Sequence, residues 1–295
     1  MMKTNLLCQV ANTLYLNHYQ IESVGLQDGR MGITWFMYQY ARKSGWKQYE
    51  ELGDYLLEQI LNNVHMEMSP NFLTGIAGIG WCIRHLIDNS FIEADDDVLE
   101  NYDTIIYNRT LNDCIKELDT THNPVYTNGL YALYTHTKEE EEFTQISYLE
   151  KILKLTEKRT LPIGFLNSIL YVYLASTFNE QKNSQSEFGQ LFYLHTTKAL
   201  QANFYTKSDR SILKLLVEKA NFQQSMNWND LLPNEIITPI VANWQILIYA
   251  PILNSNKLSC NEQVVEQYIK EKLINLTPDD LSLNGLTGWA LQQIV

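Results

Sequence analysis

The chain has 295 residues, enough to bury a sizeable core. Apolar residues make up 45% and charged residues 19%, a globular composition that excludes a disordered chain. Thirty-four acidic against 22 basic side chains give a formal charge of −12, which sets the surface against phosphate backbones and anionic lipid: no nucleic-acid partner and no membrane are expected.

Four cysteines lie far apart (Cys8, Cys82, Cys114 and Cys260) with no C-x-x-C pair, so a disulfide scaffold or zinc ribbon is not expected and a reducing compartment fits. After Lys3, the run Leu6-Leu7-Cys8 is too short for a secretory signal. No stretch approaches the roughly 18 apolar residues of a membrane span. A cytoplasmic location is expected.

In chain order, one arrangement recurs. Gly29-Arg30-Met31-Gly32 precedes the apolar run Ile33 to Tyr38, and Gly75-Ile76-Ala77-Gly78 precedes Ile79 to Ile83. Weaker copies stand at Asn128-Gly129-Leu130-Tyr131 and at Pro162-Ile163-Gly164-Phe165. A copy without glycines is Pro239 to Trp244, and Gly285-Leu286-Thr287-Gly288 closes the series before Trp289. Such recurrence marks a repeat architecture built from one supersecondary unit. The segment after each cluster is apolar nearly all round, as in Ile169 to Ala175, and reads as a buried helix. The segments between are amphipathic. Tyr49, Leu52, Leu56 and Ile60 recur at helical spacing between Glu50, Glu51, Asp54 and Glu58; Leu149, Ile152 and Leu153, then Val265, Tyr268 and Ile269, repeat the pattern. Residues 1–295 therefore read as one all-α domain of about six helical hairpins, outer helix then inner, closed into a ring. Residues 179–236 read as its irregular part, with loops over 179–186 and 223–233. The helix-start glycines should let backbones approach closely and leave N–H groups free for a ligand.

Motifs with chemistry are few. Gly75-x-x-Gly78-x-Gly80 has the wrong glycine order for a dinucleotide loop and follows no strand, and no Gly-Lys-Ser/Thr exists. Asp95-Asp96-Asp97 resembles a magnesium–diphosphate motif but reads as the acidic start of a helix. His85 follows Cys82 by three positions, and two ligands make no zinc site. A glycosidase needs two carboxylates across the scissile bond, and only Asp28 stands beside an inner-helix start.

The glycine-bearing helix starts resemble those of the lanthionine synthetase C-like family, an α/α-toroid family. Phe72-Leu73-Thr74-Gly75-Ile76-Ala77-Gly78-Ile79-Gly80-Trp81 resembles its second repeat, Leu281 to Gly288 its final repeat, and Tyr40-Ala41 with Gly45 its first. The resemblance implies an α/α toroid. In cyclising members it also implies a zinc ion held by two cysteines and a histidine, which activates a thiol for addition to a dehydroamino acid. This chain departs there. Ile163 stands where the family's Ala-His-Gly histidine belongs, Thr238 to Trp244 has no cysteine, and the Cys-His-Gly repeat has no counterpart. No metal ligand set and no cofactor are therefore expected, and no catalytic residue is assigned.

In a toroid the inner-helix starts converge at one end. The cavity candidates there are Asp28, Arg30, Asn71, Thr74, Asn128, Tyr131, Asn167, Asn243, Trp244, Asn284 and Trp289. Amides, hydroxyls and aromatics suit hydrogen bonding to a peptide. The leading expectation is a zinc-free relative of the cyclases that binds a substrate or leader peptide and assists a partner maturation enzyme. The alternatives are a toroid enzyme acting on a carbohydrate and a structural interaction module.

Overall fold

The computed structural model describes residues 2–65, 67–69, 72–95, 98–99, 142–177, 185–220, 222, 227–232, 247–248, 253 and 262–294. Among them every regular element is helical, in agreement with the all-α expectation. In chain order these are α1 (Met2–Asn17) with a 3-10 turn (His18–Gln20), α2 (Arg30–Ser44), α3 (Lys47–Asn63) and α4 (Ile76–Asp88). Next come α5 (Glu142–Leu155), α6 (Ile163–Thr177), α7 (Gln185–Gln201), α8 (Lys207–Ala220) and the single turn α9 (Trp228–Leu231). Then follow α10 (Glu262–Ile274), a 3-10 turn (Pro278–Leu281) and α11 (Leu286–Gln292). Two units make up the chain: residues 1–99, 238–250 and 255–295 form the first, and residues 100–237 and 251–254 the second.

In the first unit, the all-apolar segments are inner helices. Met31 to Tyr38 of α2, Ile76 to Ile83 of α4 and Leu286 to Gln292 of α11 are buried without interruption. Helix α3 is amphipathic as its periodicity predicts: Tyr49, Leu52, Leu56 and Ile60 are buried and its carboxylates face outward. Each of those buried side chains contributes about 2 kcal/mol of hydrophobic stabilisation. Gly53 lets the Tyr38 ring lie against α3, and Tyr38 Oη donates to Asp54 Oδ1 at 2.6 Å.

The helix ends set the level of the inner helices. Gln27, Leu73 and Leu283 each lie two residues before the glycine that caps their helix. The Gln27 N–H donates to Leu73 O at 2.7 Å, and its carbonyl accepts from the Leu283 N–H at 2.9 Å. At the other end of α2, Arg42 Nη2 donates to the carbonyls of Asn89 and Ser90, each at 2.8 Å, and its guanidinium lies 3.4 Å over the Phe91 ring. Lys43 Nζ donates to Gln293 O at 3.0 Å. Helix α2 is thus bonded to the α4 and α11 segments at both ends, starts beside starts and ends beside ends, so the three inner helices run parallel.

The glycines make room for the returning chain. A Cβ on Gly78 would lie 1.8 Å from Phe72 O, and one on Gly32 would lie 2.5 Å from Leu26 O. In both repeats a carbonyl six residues earlier folds back against the first turn. Gly45 ends α2 in the left-handed conformation, φ 73°, and its N–H donates to Ala41 O.

In the second unit, α6 is buried from Phe165 to Leu174. Its start is tied to the α7–α8 connection, Ile163 N–H to Phe204 O at 3.1 Å. His195 on α7 is fully buried and its Nε2 lies 2.8 Å from Leu153 O on α5. Tyr173 and Phe188 stack at 4.1 Å, and Phe192, Phe222 and Trp228 extend that aromatic core. Residues 179–236, expected as irregular, contain two full helices, α7 and α8, with Gln185 and Ser186 already helical. Phe188, Phe192 and Ala199, and Ile212, Leu216 and Ala220, supply their buried stripes; tertiary packing on α5 and α6 selects these over the interleaved polar residues. The helix starts expected at Gly129 and Pro239 lie outside the described residues.

Two predictions follow from this packing. Gly78→Ala forces a methyl into the Phe72 carbonyl, so urea unfolding should show a loss of about 2–3 kcal/mol. Gly45→Ala, which has open space but a positive φ, should cost about 1 kcal/mol. Burial also lowers the pKa values of His85, to about 4, and of His195. A neutral imidazole favoured by the fold stabilises above the unfolded pKa of about 6.5, and that contribution is lost as pH falls toward 4. Stability should drop across this window, with about 3 kcal/mol of the drop absent in His85→Phe, as read from chemical denaturation at stepped pH.

Candidate functional site

The candidate site is built at the starts of the inner helices. Asp28, Thr74 and Asn284 each immediately precede a capping glycine, and the hydrogen bonds through Gln27 bring their three loops to one level. All three side chains are exposed. A Cβ on Gly25 would lie 2.8 Å from Thr74 Cα and 2.9 Å from Asp28 Oδ1, which measures how closely the first two loops pack. Ser23 Oγ donates to Asp28 Oδ1 at 3.3 Å, and the Asn284 N–H donates to Ser282 Oγ at 3.2 Å. A carboxylate, a hydroxyl and an amide thus stand in one row.

The remaining candidates divide. Arg30 is half-buried and its Nε donates to Ile21 O at 2.7 Å, so it holds the loop that leads into α2. Trp289 is buried in α11. Asn167, in the second unit, is buried on α6; its Nδ2 donates to Asp209 O at 2.9 Å, and its buried Oδ1 has no hydrogen-bond partner. Asn71, Asn128, Tyr131, Asn243 and Trp244 lie outside the described residues.

The expectation of free backbone N–H groups at these helix starts is corrected. The Arg30 N–H donates to Ser23 O at 2.9 Å, Met31 N–H to Gly25 O at 3.2 Å, and Ile76 N–H to Ser69 O at 2.9 Å. At the start of α2 two N–H groups, and at the start of α4 the first, are satisfied because the folded-back loops carry carbonyls to them. The cap residues Gly29, Gly75 and Gly285 have no side chain to cap with, and Asp28, Thr74 and Asn284 stand immediately before them.

Two turns into the helices, Trp35 and Trp81 occupy the same offset from Gly29 and Gly75. They meet edge-on at 5.3 Å, and His85 stacks on Trp81 at 5.3 Å. Trp35 Nε1, Trp81 Nε1 and His85 Nε2 are buried without a hydrogen-bond partner. The fixed offset of the tryptophans is a signal present in the sequence; the role of Gln27 and its two counterparts is another. Cys82 is buried nearby in sequence on α4, and desolvation pushes its thiol well above the ordinary range.

Among the described residues, no donor set matches the zinc centre that the resemblance implies; Cys114, Cys260, His122 and His136 lie outside them. Ile163, which the resemblance sets at the Ala-His-Gly position, is apolar and fully buried at the first residue of α6. Cys82 is fully buried. Among the described residues no three His, Cys, Asp or Glu side chains are grouped to hold a metal ion. Among the same residues no helix is long and apolar enough to cross a membrane.

Comparison with known proteins bears on the repeats. No curated protein and no solved structure matches the chain significantly. A family model described as lanthionine synthetase C-like protein matches residues 20–235, a span that includes the first two glycine-bearing helix starts and Ile163. That match covers well over half of the sequence, and with the all-helical fold it establishes that the chain belongs to the lanthionine synthetase C-like family, whose class is the α/α toroid.

Proposed function

We propose that this protein binds a peptide at the inner-helix starts and assists a partner enzyme of peptide maturation, without a zinc centre of its own. In this reading residues 1–295 form one toroid domain of about six hairpins. The observation that carries it is the set Asp28, Thr74 and Asn284: exposed hydrogen-bonding side chains on three loops that backbone bonds hold side by side. An extended peptide offers amide donors and carbonyl acceptors at regular spacing, and a carboxylate, a hydroxyl and an amide can meet both kinds. Family membership supplies the association with peptide chemistry. The buried, apolar Ile163 at the position where the resemblance sets a histidine speaks against thiol activation by zinc. A carbohydrate hydrolase is less well supported, because this row carries one carboxylate where the reaction needs two.

The test uses a fluorescein-labelled precursor peptide encoded next to this gene. Asp28→Ala/Thr74→Val/Asn284→Ala should fold normally and weaken peptide binding, read by anisotropy, by about tenfold or more, or about 1.4 kcal/mol. Unchanged affinity would move the peptide site off the helix starts. Elemental analysis of tag-free protein should find well below one zinc per chain. Equimolar zinc that disappears on mutation of Cys114 or Cys260 would restore the cyclase reading.

A further inference from the structure

The face where α1 and its 3-10 turn meet α3 differs from the rest of the described surface. Tyr15, Leu16, Tyr19, Trp46, Tyr55 and Leu61, on or beside these elements, are all exposed, whereas the other exposed large apolar side chains among the described residues, such as Val98, Leu194 and Ile274, are spread along the rest of the chain. The rings form two groups, one around Tyr49 and one around His18. Trp46 stacks on Tyr49 at 6.1 Å and 8°, Tyr49 meets Tyr15 edge-on at 5.8 Å, and His18 touches both Tyr19 and Tyr55 at 6.3 Å. Exposed aromatic side chains gathered on neighbouring elements mark an interaction surface.

Its charge decides the occupant. Helix α3 carries Glu50, Glu51, Asp54 and Glu58 against the single cation Lys47, which lies 3.7 Å from Glu51. Glu51 and Glu58 stand four residues before and three after Tyr55, on the same side of the helix. A two-fold contact with a second copy would set this acidic row against itself, between chains of −12 each. A cationic segment is the complement, because an ammonium or guanidinium group gains from the face of an aromatic ring and from a carboxylate beside it. The protein uses that combination internally: Lys272 Nζ lies 2.7 Å from Asp280 Oδ1 and 5.5 Å over the Tyr268 ring.

We propose that the α1–α3 face docks a basic amphipathic segment of a partner protein, with Lys or Arg side chains over Tyr19, Trp46 and Tyr55 and paired with Glu51 and Glu58. This inference is independent of the helix-start row.

The test titrates the full-length protein with a synthetic helical peptide bearing leucines on one face and lysines and arginines on the other. A second peptide has glutamates in place of the basic residues. The basic peptide should bind about tenfold tighter or better, and should weaken steeply as salt rises from about 50 to about 300 mM. Tyr19→Ser/Tyr55→Ser and Glu51→Gln/Glu58→Gln should each lower its affinity about tenfold with thermal unfolding unchanged. Glu157→Gln/Glu218→Gln, the same charge change at exposed positions of the second unit, should leave it intact. Equal weakening by that control pair, no preference over the acidic peptide, or a self-association abolished by Tyr55→Ser would each overturn the proposal.

Discussion

Helix α2 is bonded through its flanking backbone and its last turn to two neighbours at once. Gln27 spends its N–H on the loop before α4 and its carbonyl on the loop before α11. Arg42 and Lys43 make the matching bonds at the far end, to carbonyls that follow α4 and α11. Each backbone bond contributes only about 1 kcal/mol net. Their larger effect is geometric: equal offsets from each capping glycine come to equal heights in the first unit. Trp35 can therefore meet Trp81, and Asp28, Thr74 and Asn284 can share a row.

The glycines make that register possible by admitting a carbonyl where a side chain would sit. The Phe72 and Leu26 carbonyls fold onto Gly78 and Gly32, and the same loops satisfy the first N–H groups of their helices. This alters the physics available to a ligand. An open helix start offers N–H groups and a favourable dipole to an anion. A start closed by its own loop offers the side chains that the loop holds outward, here a short acidic and polar set.

Scaffold and chemistry are separable in this chain. The chain belongs to the family and is helical throughout its described residues, while Ile163, which the resemblance sets where cyclising members use a histidine, is apolar and fully buried. A fold hosts a reaction only through the groups placed on it. The acidic, aromatic face of α1 and α3 is a second place where groups of definite chemistry are gathered, built from the outward sides of helices whose inward sides make the core.

What the sequence by itself determined is whatever depends on near neighbours along the chain. The stripe Tyr49, Leu52, Leu56 and Ile60 dictated which side of α3 is buried, the unbroken apolar runs marked α2, α4 and α6 as inner helices, and the glycine clusters located their starts. Helices α7 and α8 carry the same periodic signal, but polar residues interleave it, and packing on α5 and α6 settles the outcome. Tertiary structure alone decided the partners. The Arg30 side chain turns to Ile21 O, Asn167 to Asp209 O, His195 to Leu153 O and Lys43 to Gln293 O. Periodicity is a property of local backbone geometry, legible within a few turns. A hydrogen bond that joins residues 42 or 250 positions apart depends on where the whole unit folds, and no local pattern encodes its far end.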